Sequence, residues 1–142
     1  MAQKPGNSSP FAWPVRVYYE DTDAQGVVYY ANYFKFMERA RTEWIRYLGI
    51  EQDKMLYEQK RMFVVVDTQA DFLIPAKFND ELVVTAGLIS AVRASFQIEQ
   101  NIYRNNLDGE LLIRGRTRAA LLNAETLKPV RLPPSLFKDP QS

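Results

Sequence analysis

Neither cysteine nor histidine occurs anywhere in the 142 residues of this chain. The first absence removes a disulfide framework and a thiolate nucleophile, and the second removes a Ser-His-Asp triad and imidazole ligands for zinc. An excess of one charge is missing as well. With 18 Lys and Arg against 17 Asp and Glu, the formal net charge is +1, and the chain as a whole carries no electrostatic footprint for nucleic acid or an anionic membrane. No apolar run reaches the roughly 18 residues of a transmembrane helix. The segment Met1 to Trp13, with its Pro, Gly, Asn and Ser, lacks the apolar core of a signal peptide and reads as a mobile tail. Together with the lack of cysteine, this gives the cytoplasm as the expected compartment. For chemistry there remain carboxylates, tyrosines, lysines and backbone amides, so an enzyme built from them would place its nucleophilic or acid–base work on Asp or Glu.

The length implies one domain, expected over residues 14–138, with a core large enough to need no covalent staples. Its organising stretch is Val17 to Ile50. Asp21 and Asp23 are followed by Gly26 and the run Val27 to Tyr30. From there apolar positions at Tyr33, Phe36, Met37, Ala40, Trp44 and Leu48 recur with helical spacing and give one buried stripe. Gly49 ends this helix. A carboxylate is thereby placed beside a helix start, whose first amides lack intrahelical acceptors and carry partial positive charge. Such amides can hold a developing oxyanion while a nearby carboxylate attacks, or activates water to attack, an acyl carbonyl. Without chemistry, the same residues read as an ordinary turn and helix cap. On spacing alone either aspartate qualifies as the reactive one.

The flanking segments alternate with period 2. Val15 to Tyr19 reads as a first strand, and Gln52 to Gln59 as a short helix. In the strand from Met62 to Ile74, the residues Met62, Val64, Val66, Thr68, Ala70, Phe72 and Ile74 share the face expected to cover the helix, which leaves Phe63, Val65 and Leu73 on the other side. Strands at Leu82 to Val92, around Phe96 to Ile102 and at Leu111 to Leu122 follow, with a turn at Asn105 to Gly109. Arg114, Arg116 and Arg118 share one face of the last strand, suited either to the phosphates of an anionic ligand or to plain solvation. One helix followed by consecutive antiparallel strands predicts an α+β fold, a five-stranded curved antiparallel sheet wrapped around one long helix. The uncovered strand edges and the apolar Phe63, Val65 and Leu73 predict a homo-oligomer, dimer or tetramer.

The motif Tyr19-x-Asp21-Thr22-Asp23-x-x-Gly26-x-Val28-Tyr29-x-x-x-Tyr33, with Glu38-Arg39-Ala40-Arg41 behind it, resembles the hotdog-fold acyl-CoA thioesterases. It is similar to both the 4-hydroxybenzoyl-CoA thioesterase branch and the Tol-Pal-associated branch, and the likeness continues to Lys128-Pro129-x-x-Leu132-Pro133. The resemblance implies hydrolysis of an acyl-CoA thioester without metal or prosthetic group, in a dimer or tetramer. It implies that Asp23 is the nucleophile or general base and that the amide of Tyr30 polarises the thioester carbonyl. Gly26, Val28, Tyr29 and Tyr33 are the substrate-binding positions it carries over, and it leaves Asp21 as a cap or loop-ordering group. The chain departs from the Tol-Pal-associated pattern at Tyr30, where those relatives carry histidine, and at Asn123, where many carry aspartate. A non-catalytic module that binds acyl-CoA or acyl-carrier protein in the same groove is the alternative, and a structural partner in an envelope complex is a third.

Overall fold

The computed structural model describes residues 10–137. Five antiparallel strands, β1 (Phe11–Arg16), β2 (Arg61–Phe72), β3 (Glu81–Val92), β4 (Ser95–Arg104) and β5 (Leu111–Asn123), form one sheet in the order β1-β3-β4-β5-β2. Between β1 and β2 lie a 3-10 turn at Tyr19–Asp21, the long helix α1 (Tyr30–Tyr47) and the short helix α2 (Gln52–Gln59). Helix α1 lies against one face of the sheet, as the period-3.6 stripe predicts. Tyr33, Phe36, Met37, Ala40 and Trp44 are buried, and Ile45 joins them. The half of α1 nearest its start packs with Val17, Leu82, Val84, Ile102 and Ile113; the far half packs with Phe11, Ala86, Phe96, Ile98 and Ala119. At Gly49, φ of +91° provides the left-handed stop expected after the helix.

A polar bridge crosses the middle of this core. Gln100 is fully buried, donates from Nε2 to the Met37 carbonyl at 2.8 Å and accepts on Oε1 from Arg41 Nη1 at 3.0 Å. Burial holds the Arg41 guanidinium below its ordinary pKa, with Glu38 acting in the opposite direction. The helix approaches the sheet closely here because β5 presents Gly115. A Cβ there would lie 2.6 Å from the Gln100 carbonyl oxygen and 2.7 Å from Met37 Cε.

Two expectations are corrected. The first strand is Phe11–Arg16 and not Val15 to Tyr19, so Phe11 to Trp13 belong to the sheet, with Phe11 and Ala12 buried. Pro14 is tolerated because β1 is an edge strand, where a missing N–H can face away from the ladder. Residues 1–9 of the expected tail lie outside the described residues. The second correction concerns β2. Its register with β5 slips between Val65 and Asp67, so Val66 is an extra residue and the alternation changes face there. Before the bulge, Phe63 and Val65 stand beside the inward Leu121 and Ala119, and Phe63 meets Phe96 at 5.4 Å. Beyond it Thr68, Ala70 and Phe72 face inward, as predicted. Phe63 and Val65 therefore face the helix, with Met62 and Val64 outside.

Candidate active site

The acidic stretch forms a tight hairpin docked on the start of α1. Thr22 pairs with Val28, and the Asp23 amide donates to the Val27 carbonyl at 2.9 Å. The turn between them is closed by the Gly26 amide on the Asp23 carbonyl at 3.0 Å. Gly26 has φ of +81° with open space where a Cβ would stand, so the backbone conformation and not crowding calls for glycine. A further backbone bond, Val28 N–H to the Ala76 carbonyl at 2.9 Å, and a bridge from Val27 to Lys77 fasten the hairpin to the segment after β2.

The two aspartates are divided by this geometry. Asp21 is half-buried and its Oδ2 accepts from the Tyr18 amide at 2.8 Å, which orders the loop as the resemblance implies. Asp23 is exposed. Its Oδ1 accepts from the Gln25 amide at 2.8 Å, and its Oδ2 has no partner among the described residues. One carboxylate oxygen is oriented and the other is open to a reactant.

Helix α1 begins at Tyr30, with Tyr29 as N-cap in extended conformation and no side chain capping the first turn. The Tyr29 amide donates to the Asp21 carbonyl at 3.0 Å, whereas the Tyr30 amide, at the first helical position, has no backbone acceptor among the described residues. Tyr29 and Tyr30 are about half exposed, with ring centroids 4.9 Å apart. A side-chain hydrogen bond with Tyr30 raises the Tyr29 phenol above its usual pKa.

Val28 and Tyr33, expected among the substrate-binding positions, lie in the core at 4% and 3% exposure and offer a substrate almost no surface. Val28 anchors the hairpin. Tyr33 accepts on its hydroxyl from the buried Ala76 amide at 2.9 Å, and burial raises its phenol pKa. Two residues that the sequence did not mark as site residues belong to this region. Phe72 places its ring 6.3 Å from Tyr30, 5.8 Å from Tyr33 and 6.3 Å from Phe34. Asn32, in the first turn of α1, donates from Nδ2 to the Asp21 carbonyl at 2.9 Å. An Asn beside a helix start was a visible signal, but nothing local to Phe72 marked it. Arg114 and Arg118, weighed as phosphate ligands, face Asp71 at 3.7 Å and Asp67 at 2.9 Å on the outer sheet face. Asn123, the second departure, accepts on Oδ1 from the Glu125 and Thr126 amides at 2.8 and 3.0 Å, a turn-closing role that aspartate fills equally well.

A long helix on a five-stranded antiparallel sheet, entered through an acidic hairpin, defines a hotdog-fold thioesterase architecture. The chain belongs to the Thioesterase-like superfamily, which its residues 17–138 match. Over 123 residues it is 42% identical to the acyl-CoA thioesterase YbgC of Haemophilus influenzae, a match covering 87% of this chain and 88% of that one. Among solved structures, a probable thioesterase from Bartonella henselae is 33% identical with a TM-score of 0.79, covering 86% and 98% of the two chains. The fold alone is shared with a 4-hydroxybenzoyl-CoA thioesterase variant complexed with 4-hydroxybenzoyl-CoA, at 20% identity, a TM-score of 0.82 and coverage of 89% and 95%.

Proposed function

We propose that this protein hydrolyses acyl-CoA thioesters to the free acid and CoA, with Asp23 as the reactive carboxylate and the Tyr30 amide as the oxyanion donor. One observation carries the reading: a helix start without a side-chain cap stands next to an exposed aspartate that has one oxygen oriented and one free. A thioester oxygen on the Tyr30 amide gains charge as the carbonyl carbon is attacked, and a fixed amide at a helix start stabilises that charge without reorganising. The free oxygen of Asp23 either attacks that carbon, forming an anhydride that water then opens, or takes a proton from the attacking water. In both routes the C–S bond breaks, the thiolate of CoA leaves and water supplies the acid oxygen. Gly26 and Tyr29 flank the substrate; Val28 and Tyr33 support the site from behind. We infer further a homo-oligomer, since β2 is an edge strand with exposed apolar residues, and a reducing compartment such as the cytoplasm, which suits a chain without cysteine.

The test is release of CoA thiol from a panel of short-chain, long-chain and aromatic acyl-CoAs. Turnover of at least one is expected; no release from any would sink the reading. The exposed aromatic group at Tyr29, Tyr30 and Phe72 favours a second reading, a module that holds an acyl group without cleaving it. Saturable binding without turnover selects that one.

A further inference from the structure

We propose that Asn32 is a positioning residue, whose side chain sets the placement of the Asp23 carboxylate relative to the Tyr30 amide; this rests on the thioesterase reading of the site. Asn32 is the third residue of α1 and is half-buried. Its Nδ2 donates at 2.9 Å to the same Asp21 carbonyl that accepts the Tyr29 amide at 3.0 Å. Both acceptor directions of that carbonyl are thus used by the helix entrance, one by the N-cap backbone and one by a side chain of the first turn. The Asn32 amide in turn donates to the Tyr29 carbonyl at 2.9 Å, which closes the entrance into a compact unit.

The Asp21 carbonyl stands two residues before the reactive aspartate. On the other side of Asp23 the chain is held by the Asp23 amide on Val27 and by the Thr22–Val28 pair. Those hairpin contacts set the shape of the turn. The Asp21 clamp sets how the turn sits on the helix. The residue type supports this assignment: the first turn of a helix favours acids, which complement the dipole and the free amides, but an acid has no proton to give a carbonyl. Asparagine has the same length and supplies the donor. A shift of about 1 Å between reacting groups costs on the order of 100-fold in rate, so a clamp at this point acts on turnover more than on substrate affinity.

The experiment uses the full chain, Asn32→Ala and Asn32→Asp, with benzoyl-CoA and butanoyl-CoA as substrates and amide hydrogen exchange of the 18–29 segment without substrate. Asn32→Ala is expected to lower kcat roughly tenfold to 100-fold, leave KM nearly unchanged, and speed exchange across 18–29. Asn32→Asp keeps the size and adds an acid that the helix start favours, so its melting temperature should hold or rise while kcat falls as in the alanine variant. A merely structural role predicts the opposite, with activity following stability and restored by aspartate. Full kcat in Asn32→Ala, full kcat in Asn32→Asp, or unchanged exchange in Asn32→Ala would each overturn the proposal. Failure of the thioesterase reading shows separately, as wild-type protein that releases no CoA or as Asp23→Asn with full turnover. In that event, the exchange data still decide whether Asn32 holds the loop.

Discussion

At the level of single residues, Asp21 and Asp23 differ in what remains free once the backbone has been satisfied. Asp21 spends a carboxylate oxygen on Tyr18 and its carbonyl on Tyr29 and Asn32, whereas Asp23 keeps one oxygen open. Asp23→Asn should therefore remove most CoA release with little change in melting temperature, and Asp21→Asn should lower stability while retaining turnover; a dead Asp21 variant beside an active Asp23 variant reverses the assignment. Tyr30 separates backbone from side-chain chemistry. Tyr30→Phe keeps the amide and should stay active, whereas Tyr30→Pro loses it at a first helical position where proline fits. The proline variant should raise the barrier by about 2.7–4 kcal/mol, the effect of losing one oxyanion donor, measured as kcat once circular dichroism confirms folding. Tyr33→Phe leaves the buried Ala76 amide without its acceptor, a loss of about 1–3 kcal/mol in denaturant unfolding. The Tyr33 phenol is raised by burial, so the folded state favours the protonated form. Its contribution is complete below the ordinary tyrosine pKa of about 10 and is lost as pH rises through the folded-state value. Unfolding of the wild type above that pH should show a fall that Tyr33→Phe lacks.

Among the elements, α1 was the most legible because its stripe is long and periodic, and α2 was found at the bounds expected. Strand β2 was half legible. Met62 to Val66 is apolar on both faces, so the sequence offers no mark of which residue is the extra one; the pairing of β2 with β5 decides it, and Phe63 and Val65 turn inward. Strand β1 was displaced because proline in a short run signals an end, whereas an edge strand accepts it. The close approach of α1 to β5 depends on Gly115. Gly115→Ala puts a carbon against the Gln100 backbone as well as the Met37 side-chain end. Only the latter can swing away, so thermal unfolding should report a destabilisation of about 1–3 kcal/mol.

For the molecule as a whole, the edge formed by β2 remains open. Val65, Val66, Phe72 and Leu73 are between 45% and 50% exposed along it and just beyond its end. An apolar edge with unpaired backbone groups favours pairing with another chain, and the candidate site lies close to the same end of β2 through Phe72. Sedimentation at micromolar concentration should give a mass of two or more chains, and a monomer would contradict the expected oligomer. Among the described residues no helix is long and apolar enough to cross a membrane.

Composition and short-range pattern determined by themselves which chemistries were closed to this protein, where its long helix and most of its strands lie, and which turn carries the two candidate carboxylates. These follow from residue types and from periodicities that a few neighbouring residues express. Which of two nearby aspartates is free, which way β2 faces before its bulge, and whether Val28 and Tyr33 meet substrate or core were decided only by tertiary structure. Those outcomes depend on contacts between distant positions: Asn32 reaches Asp21 across 11 residues and Tyr33 reaches Ala76 across 43. A hydrogen bond at such separation leaves no local pattern, because its partner is chosen by how the sheet and helix pack and not by the residues beside it.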